Sequence, residues 1–336
     1  MIVQKLDLAT IAIIDKVKPS TIDLHDSEVS EFVKQVPYYI REINYMGNNP
    51  DVMDLLYAQY VLLGSTMLDA DTGIVSFVRP KYSIDLDITT KCNLACPNCN
   101  KLSNFKSTWK TVDIPYVKNF IQQNEHRGEE LLVKILGGEP TLHKDIQEII
   151  ALLVEAKFKV IMLTNGIKEF TPCLPIGIEN SSKEKGTLPD FHTTMVAPKD
   201  LECFAGVDYS VGCTNASLCG YGNKDGKYYP CPTGGYINEH ISAEYGIPDF
   251  GRASLERAEM NRPEAFKTLC QYCGLFKKLG YHNVDKKQFS RTTEQEFSKS
   301  WEFFRLKHVK GASEHDAQLK EDLADYAAEV MNGIKG

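Results

Sequence analysis

Apolar and polar residues alternate over residues 82–88, where Asp85 and Asp87 lie between isoleucine and leucine side chains. This period of two predicts a strand with two chemically different faces. Two apolar runs, at residues 131–136 and 159–163, predict the next two strands. Between these runs, apolar residues recur with helical spacing at Ile146, Ile149, Ile150 and Leu153. This alternation predicts parallel βα units, with functional loops at the carboxyl ends of the strands.

Weaker patterns extend this arrangement along the chain. Asp113 and Pro115 predict the start of a helix that ends near Gln123, with Asp113 as its N-cap. Residues 175–181 predict a fourth strand and residues 191–196 a fifth, and the stretch between them has no helical spacing.

The two ends of the chain predict packing elements without a recognisable motif. A helix is expected over residues 27–45, where Pro37 bends it or divides it in two, and another begins at Pro50. The other predicted elements are a strand over residues 73–78, a helix containing Trp301, Phe303, Phe304 and Leu306, and a closing helix from Ser313 to Ile334.

Composition narrows the range of functions. The formal net charge of −7 over 336 residues disfavours a protein whose affinity depends on nucleic-acid phosphates. Ten cysteines without a signal peptide are typical of a reducing cytoplasm, and a cytoplasmic location is expected. No stretch reaches the roughly 18 apolar residues of a membrane span, so none is expected.

Three closely spaced cysteines follow the first predicted strand. Cys92, Cys96 and Cys99 have the spacing C-x3-C-x2-C. Three thiolates suit an iron–sulfur cluster and would leave one iron open to an outside ligand. A structural zinc site is the alternative, because cysteine pairs are common zinc ligands.

Two further motifs end the next two strands. Gly137-Gly138-Glu139-Pro140 follows the second strand, and Thr164-Asn165-Gly166 ends the third. Glycines allow the backbone to approach a ligand closely, and a carboxylate beside them can pair with an ammonium group.

These three motifs, each closing a successive strand, resemble those of the radical S-adenosylmethionine (SAM) superfamily. The resemblance implies that the three cysteines hold a [4Fe–4S] cluster, whose open iron chelates the methionine part of SAM. It also implies reductive cleavage of SAM to a 5′-deoxyadenosyl radical, with an external electron donor such as flavodoxin or ferredoxin. The implied SAM contacts are Gly137, Gly138, Glu139, Pro140 and Asn165, with Asn180 or Ser181 at the ribose by position.

The sequence departs from the family pattern at two points. Many members have an aromatic residue before the third cysteine, but here the residue is Asn98. Only 46 residues lie between Gly166 and Cys213, whereas three further βα units need on the order of 75. The expected fold is therefore α/β: a partial (β/α)6-type barrel abbreviated after the third strand, with an N-terminal helical cap and a C-terminal cysteine-rich domain.

A second group of cysteines follows the core. An Asp225-Gly226 turn predicts a β-hairpin with Cys213 or Cys219 on one arm and Cys231 on the other. Further on, Cys270 and Cys273 form a C-x2-C pair. Four cysteines so arranged predict a metal site, and in this chain a second, auxiliary [4Fe–4S] cluster is favoured over zinc.

This region resembles the SPASM or shorter twitch domain that follows many radical SAM cores. Cys213, Gly226 and Cys231 satisfy its C-x9–15-G-x4-C pattern, while Cys219 competes with Cys213 for the first ligand position. The remaining cysteines, Cys173 and Cys203, are expected to be buried apolar residues.

The predicted organisation has four parts. They are an N-terminal extension (1–80), a radical SAM core (81–212), an auxiliary-cluster domain (213–290) and a C-terminal helical segment (291–336). The extension is interpreted as a cap on the barrel, with a leader-peptide-binding module as the alternative.

The resemblance implies an enzyme that abstracts hydrogen from a substrate, with the auxiliary cluster assisting electron transfer. A small-metabolite substrate, such as a natural product, sugar or isoprenoid, is favoured by the twitch-like architecture. Modification of a ribosomally made peptide is the first alternative. The others are nucleotide or nucleic-acid modification, and a non-catalytic iron–sulfur scaffold or redox sensor.

Overall fold

The computed structural model describes most of the chain between residues 82 and 308. The described ranges are 82–104, 109–181, 191–192, 194–213, 216, 219–241, 246–248, 252–276, 291–292, 294 and 296–308, together with four short strands before residue 82.

Thirteen strands and six α-helices lie in the described ranges. The strands are β1 (Thr21–Leu24), β2 (Glu42–Tyr45), β3 (Ser65–Leu68), β4 (Val75–Val78), β5 (Tyr82–Thr89), β6 (Leu131–Gly137), β7 (Lys159–Thr164), β8 (Gly177–Asn180), β9 (Phe191–His192), β10 (Tyr221–Lys224), β11 (Lys227–Tyr229), β12 (Ile247–Pro248) and β13 (Arg291–Thr292). The helices are α1 (Ile114–Asn124), α2 (Ile146–Glu155), α3 (Gly234–Ile241), α4 (Ser254–Met260), α5 (Arg262–Leu269) and α6 (Lys299–His308).

The central sheet has seven strands in the order β12-β11-β10-β5-β6-β7-β8. Strands β5 to β8 are all parallel to their neighbours, as expected for βα units. Their carboxyl ends therefore lie at one edge of the sheet, and the loops that carry the sequence motifs are brought together there.

The helices α1 and α2 cover one face of this sheet. Ile84, Leu86 and Ile88 on β5 are fully buried in the same apolar cluster as Phe120 of α1 and Ile149 of α2. The predicted cap is confirmed, because the Asp113 side chain accepts a hydrogen bond from the backbone N–H of Tyr116. The second face of β5, with Asp85 and Asp87, is also buried, and it faces the interior of the partial barrel.

The C-terminal hairpin extends the core sheet. Strands β10 and β11 are joined by Asp225 and Gly226, both with positive φ, so the predicted turn is confirmed. Strand β10 pairs in parallel with β5, with Tyr221 opposite Ile84. The hairpin lies within the predicted auxiliary-cluster domain (213–290), and its two strands continue the sheet of the core.

Two of the predicted elements differ from the structure. Residues 191–192 form a strand, but it pairs antiparallel with β13 in a separate two-stranded sheet and is not a fifth barrel strand. Residues 42–45, predicted as the end of a helix, form β2, which pairs with β1 and β4. Pairing partners override local propensity in both cases.

Other predictions have mixed outcomes. The fourth strand and the packing helix at Trp301 are confirmed by β8 and α6. The rest of the helix predicted over residues 27–45, the helix at Pro50 and the closing helix from Ser313 lie outside the described residues. Within the described part of the chain, no helix has the length and apolar character needed to cross a membrane.

Candidate active site

The cysteine loop begins where β5 ends at the carboxyl edge of the sheet. Cys96 is buried, Cys92 and Cys99 are half-buried, and all three are cysteines outside any disulfide that line one cavity of about 440 Å³. Burial raises the pKa of Cys92. Binding of a metal at this thiol would therefore have to displace its proton.

The glycines of the second motif fit against the start of this loop. Gly138 donates its N–H to the carbonyl of Thr89 at 2.7 Å, and Glu139 donates to the carbonyl of Lys91 at 2.8 Å. A Cβ on Gly137 would lie 1.9 Å from Thr89 O, and one on Gly138 would lie 2.2 Å from Lys91 O. The glycines line the cavity, but the close approach they allow is to the cysteine loop itself.

A Gly138→Ala variant is therefore expected to lose about 1–3 kcal/mol of unfolding free energy, because the added methyl group forces the loop backbone to move. Urea unfolding under anaerobic conditions measures the loss. Gly234→Ala is the matched control, since its Cβ would meet nothing closer than 3.4 Å. Equal stability of the two variants would contradict the steric role of Gly138.

The carboxylate of Glu139 is fully buried and connects the second motif to the third. Its Oε1 accepts hydrogen bonds from Thr141 Oγ1 at 2.7 Å and Thr164 Oγ1 at 2.8 Å. Its Oε2 accepts from the backbone N–H of Asn165 at 2.8 Å. Neither Glu139 nor Pro140, which begins a 3₁₀ turn, is among the described residues that line the cavity. Glu139 thus fixes the ends of β6 and β7 relative to each other.

Asn165 connects the third strand to the cysteine loop. Its side-chain amide donates to Asn93 Oδ1 at 2.7 Å and lies 3.8 Å from Cys92 Sγ. Ser181, after β8, donates from its N–H and its hydroxyl to the carbonyl of Thr164 and lines the cavity. The Asn180 side chain instead lies against Gly166. Of the two residues predicted at the ribose, Ser181 is therefore the one that reaches the cavity.

Asn98 anchors the cysteine loop to a distant part of the chain. It is fully buried with φ of 51°, a conformation that asparagine tolerates better than most residues. Its Nδ2 donates to the carbonyl of Glu294 at 2.7 Å, and its own carbonyl accepts from Thr194 Oγ1 at 2.9 Å. Asn98 thus has a structural role here, at the position where many radical SAM proteins have an aromatic residue.

The second group of cysteines borders the same cavity. Cys213, Cys231 and Cys273 line it, and Cys270 is buried behind them in the apolar cluster that Cys213 and Cys231 contact. Burial raises the pKa of Cys231 to about 12, and it raises the pKa values of Cys270 and Cys273 well above the usual range for a thiol. The charges of Cys213, Cys231 and Cys273 each add to the rise at Cys270, and Cys213 and Cys231 pack against the apolar cluster that contains Cys270.

Cys219 has different neighbours from Cys213. It is half-buried and lines the cavity, and burial raises the pKa of its thiol. Its carbonyl accepts a hydrogen bond from Lys134 Nζ at 2.6 Å, and it is not among the residues that pack against the apolar cluster containing Cys270. The arrangement therefore favours Cys213 over Cys219 as the partner of Cys231, Cys270 and Cys273.

The donors that face the cavity from both loops are thiols, as in protein-bound iron–sulfur clusters. In the described ranges, no three Cys, His, Asp or Glu side chains converge closely enough to hold a single metal ion. A cluster of four irons is wider than one ion, and the set of three loop thiols fits such a cluster in number and chemistry.

The two remaining cysteines lie outside both groups. Cys173 is exposed and Cys203 is half-buried, so the prediction of a buried position is wrong for Cys173.

A row of charged residues that sequence analysis missed also borders the cavity. Lys101 Nζ lies 3.3 Å from Asp85 Oδ2 and 3.0 Å from Asp87 Oδ1. Lys134 Nζ lies 2.8 Å from Asp85 Oδ1, close enough for an ion pair although not aligned as a hydrogen bond, and it donates to the carbonyl of Cys219 at 2.6 Å. Burial raises the pKa of Asp87 to about 6, although the charge of Lys101 lowers it. Lys101, Asp85 and Lys134 line the cavity and are called the charged row.

Comparison with known proteins gives a family match over the part of the chain that contains the three motifs. Residues 86–170 match the model of the radical SAM superfamily. The chain is 31% identical over 93 residues to an S-adenosylmethionine-dependent nucleotide dehydratase of Selenomonas ruminantium, covering 28% of this chain and 33% of that protein. It is 29% identical over 100 residues to a PqqA peptide cyclase of Xanthomonas euvesicatoria, covering 30% and 27%. The chain thus spans about a third or less of the curated relatives it matches.

A solved structure matches a larger share of the chain at a lower sequence identity. The crystal structure of BtrN in complex with AdoMet and 2-DOIA is matched over 64% of this chain and 96% of that chain. The sequence identity is 15% and the TM-score is 0.34.

Proposed function

Because the chain carries a radical SAM domain over residues 86–170, we propose that it is an enzyme that cleaves SAM and takes a hydrogen atom from a substrate. The observation that carries the proposal is the meeting of the three motifs at one cavity. Cys92, Cys96 and Cys99, Gly137 and Gly138, and Thr164 and Asn165 all border it.

In this proposal Cys92, Cys96 and Cys99 hold a [4Fe–4S] cluster and leave one iron open for SAM. When bound, the cluster and SAM together supply a one-electron cleavage that yields a 5′-deoxyadenosyl radical. Gly137 and Gly138 line the cavity and would let the cysteine loop lie against the end of β6 beside SAM. Glu139 acts by holding this backbone in place, because its carboxylate is already bonded to Thr141, Thr164 and Asn165.

A second cluster is proposed at Cys213, Cys231, Cys270 and Cys273. The support is that Cys213, Cys231 and Cys273 border the same cavity as the cysteine loop, and that Cys213 and Cys231 pack against the apolar cluster containing Cys270. A cluster there would be placed to exchange an electron with a substrate held between the two groups. An external low-potential protein, such as a flavodoxin or ferredoxin, would supply the electrons.

We propose a small metabolite as the substrate, because the pattern formed by Cys213, Gly226 and Cys231 resembles the twitch architecture, for which a small-metabolite substrate is expected. A peptide side chain is the second candidate, because 100 residues of this chain align with a PqqA peptide cyclase at 29% identity. A short precursor-peptide gene beside this one would favour the peptide, and a biosynthetic gene cluster the metabolite.

The test of the proposed function is the formation of 5′-deoxyadenosine. Anaerobically reconstituted protein, incubated with SAM and dithionite, is expected to release 5′-deoxyadenosine even without substrate, as measured by liquid chromatography and mass spectrometry. No product with dithionite, or with reduced flavodoxin or ferredoxin, would overturn the proposal.

A further inference from the structure

The charged row is an unusual feature in the interior of the partial barrel. The side chains of Lys101 and Lys134 are each only 6% exposed, and that of Asp85 is 7% exposed. Asp85 and Lys134 lie directly opposite each other on β5 and β6. Removing charges from water is expensive, and apolar residues of similar size would often be equally stable here. The charges therefore indicate a function beyond stability.

The two lysines retain donors on the cavity side. An ammonium group has three N–H donors. The oxygen partners of Lys101 are the carboxylates of Asp85 and Asp87, and the centroid of the Tyr236 ring lies 5.4 Å from its Nζ. The oxygen partners of Lys134 are Asp85 and the carbonyl of Cys219. Each lysine therefore has one N–H beyond its oxygen partners, and both side chains border the cavity.

The carboxylate of Asp85 faces both lysines, although among the described contacts only its Oδ2 is hydrogen-bonded, and Asp87 Oδ2 has no hydrogen-bond partner there. The two oxygens of Asp85 each face a different lysine, so that this carboxylate bridges the two ammonium groups from the strand side. The other charged residue in the described lining is Glu179, on the exposed edge strand β8. A group with two acceptor oxygens could bridge the two lysines from the cavity side as Asp85 does from the strand side.

We propose that the charged row is a subsite for a carboxylate group of the substrate, bound by one N–H from Lys101 and one from Lys134. Lys101 follows Cys99 by two residues, and Lys134 donates to the carbonyl of Cys219. The bound group would therefore lie between the cysteine loop and the second group of cysteines. The identification of the ligand as the substrate rests on the proposed function. The subsite itself rests on the contacts of the row.

Matched three-carbon probes test the chemistry of the subsite. Equilibrium dialysis with radiolabelled propionate, 1-propanol and propylamine is carried out on reconstituted full-length protein with SAM and without reductant. Propionate is expected to bind about tenfold or more tightly than the alcohol or the amine, as hydrogen bonds to charged groups predict. Equal binding of the three probes, or no binding of propionate, would overturn the proposal.

Substitution of one lysine separates this role from general stability. Lys134→Met is expected to weaken propionate binding by about tenfold or more. Lys224→Met is the matched control: the Lys224 side chain is also 6% exposed and paired with two carboxylates, Asp225 and Glu239, but it is not in the described lining. Its effect on propionate binding is expected to stay within about twofold. Equal losses in both variants would contradict the subsite.

A second variant predicts a change in the opposite direction. Asp85→Asn keeps the shape of the side chain but removes the charge that competes for both lysines. Propionate is therefore expected to bind about threefold or more tightly, because like-charge repulsion in the cavity is reduced. A row with a purely structural role would instead give weaker or unchanged binding, which would count against the proposal.

A last dialysis experiment distinguishes a free acid from a peptide side chain as the source of the carboxylate. Acetylated and amidated Gly-Glu-Gly carries a side-chain carboxylate on a peptide, whereas propionate represents a free acid. Once binding of propionate has been shown to depend on Lys134, the tighter of the two probes identifies the source. Because dialysis needs no turnover, a failure to form 5′-deoxyadenosine would overturn the proposed function without deciding the subsite.

Discussion

Replacement of Cys92, Cys96 and Cys99 together by alanine is expected to abolish 5′-deoxyadenosine formation and to halve the iron content. Reconstituted wild-type protein should hold about eight irons and the triple variant about four, because each cluster contributes four. The three thiols are the donors of the loop after β5, and all of them line the cavity. Iron analysis and product quantification measure both effects on the same sample.

The control for this variant is Cys173→Ala. Cys173 is exposed, and its thiol contacts the carbonyl of Gln147, away from the described cavity lining. Its replacement should leave iron content and product formation unchanged. Complete loss of iron from the triple variant would overturn the second cluster, and product formation by that variant would overturn the assigned loop ligands.

The elements of the core could be predicted from sequence because local patterns determine them. The alternation over residues 82–88 and the spacing of Ile146, Ile149 and Ile150 are signals within a single element. The predicted bounds of β5, β6, β7, α1 and α2 agree with the structure to within one or two residues. The position of the cysteine loop and of the glycine motif at one edge followed from the parallel arrangement.

The pairing of strands that are distant in the sequence could not be predicted from local patterns. Nothing in residues 221–229 specifies that the hairpin pairs with β5, more than a hundred residues earlier in the chain. Residues 191–192 have β propensity, yet their partner is β13 and not a barrel strand. Propensity predicts that a strand forms, whereas packing against the rest of the chain decides its partner.

The same limit explains what was missed in the site. The carboxylate of Glu139 was predicted to face an ammonium ligand, and in the structure it accepts bonds from Thr164 and Asn165 of the neighbouring strand. The charged row depends on the register that places Asp85 opposite Lys134. One signal was present, since Asp85 and Asp87 alternate with apolar residues in a strand that proves to be buried on both faces. Carboxylates in such a strand need cationic partners.

The second group of cysteines gives the other large expected effect, which decides between Cys213 and Cys219. Cys213→Ala is expected to reduce iron from about eight to about four per chain, whereas Cys219→Ala is expected to keep about eight. The reason is that Cys213 and Cys231 pack against the apolar cluster containing Cys270, whereas the carbonyl of Cys219 is bonded to Lys134. Iron analysis and electron paramagnetic resonance of the reduced proteins measure the difference. A double variant with Cys270→Ala and Cys273→Ala shows the iron content and spectrum expected when the second cluster is lost. Loss of iron from Cys219→Ala with retention in Cys213→Ala would reverse the assignment and place Lys134 next to a cluster ligand.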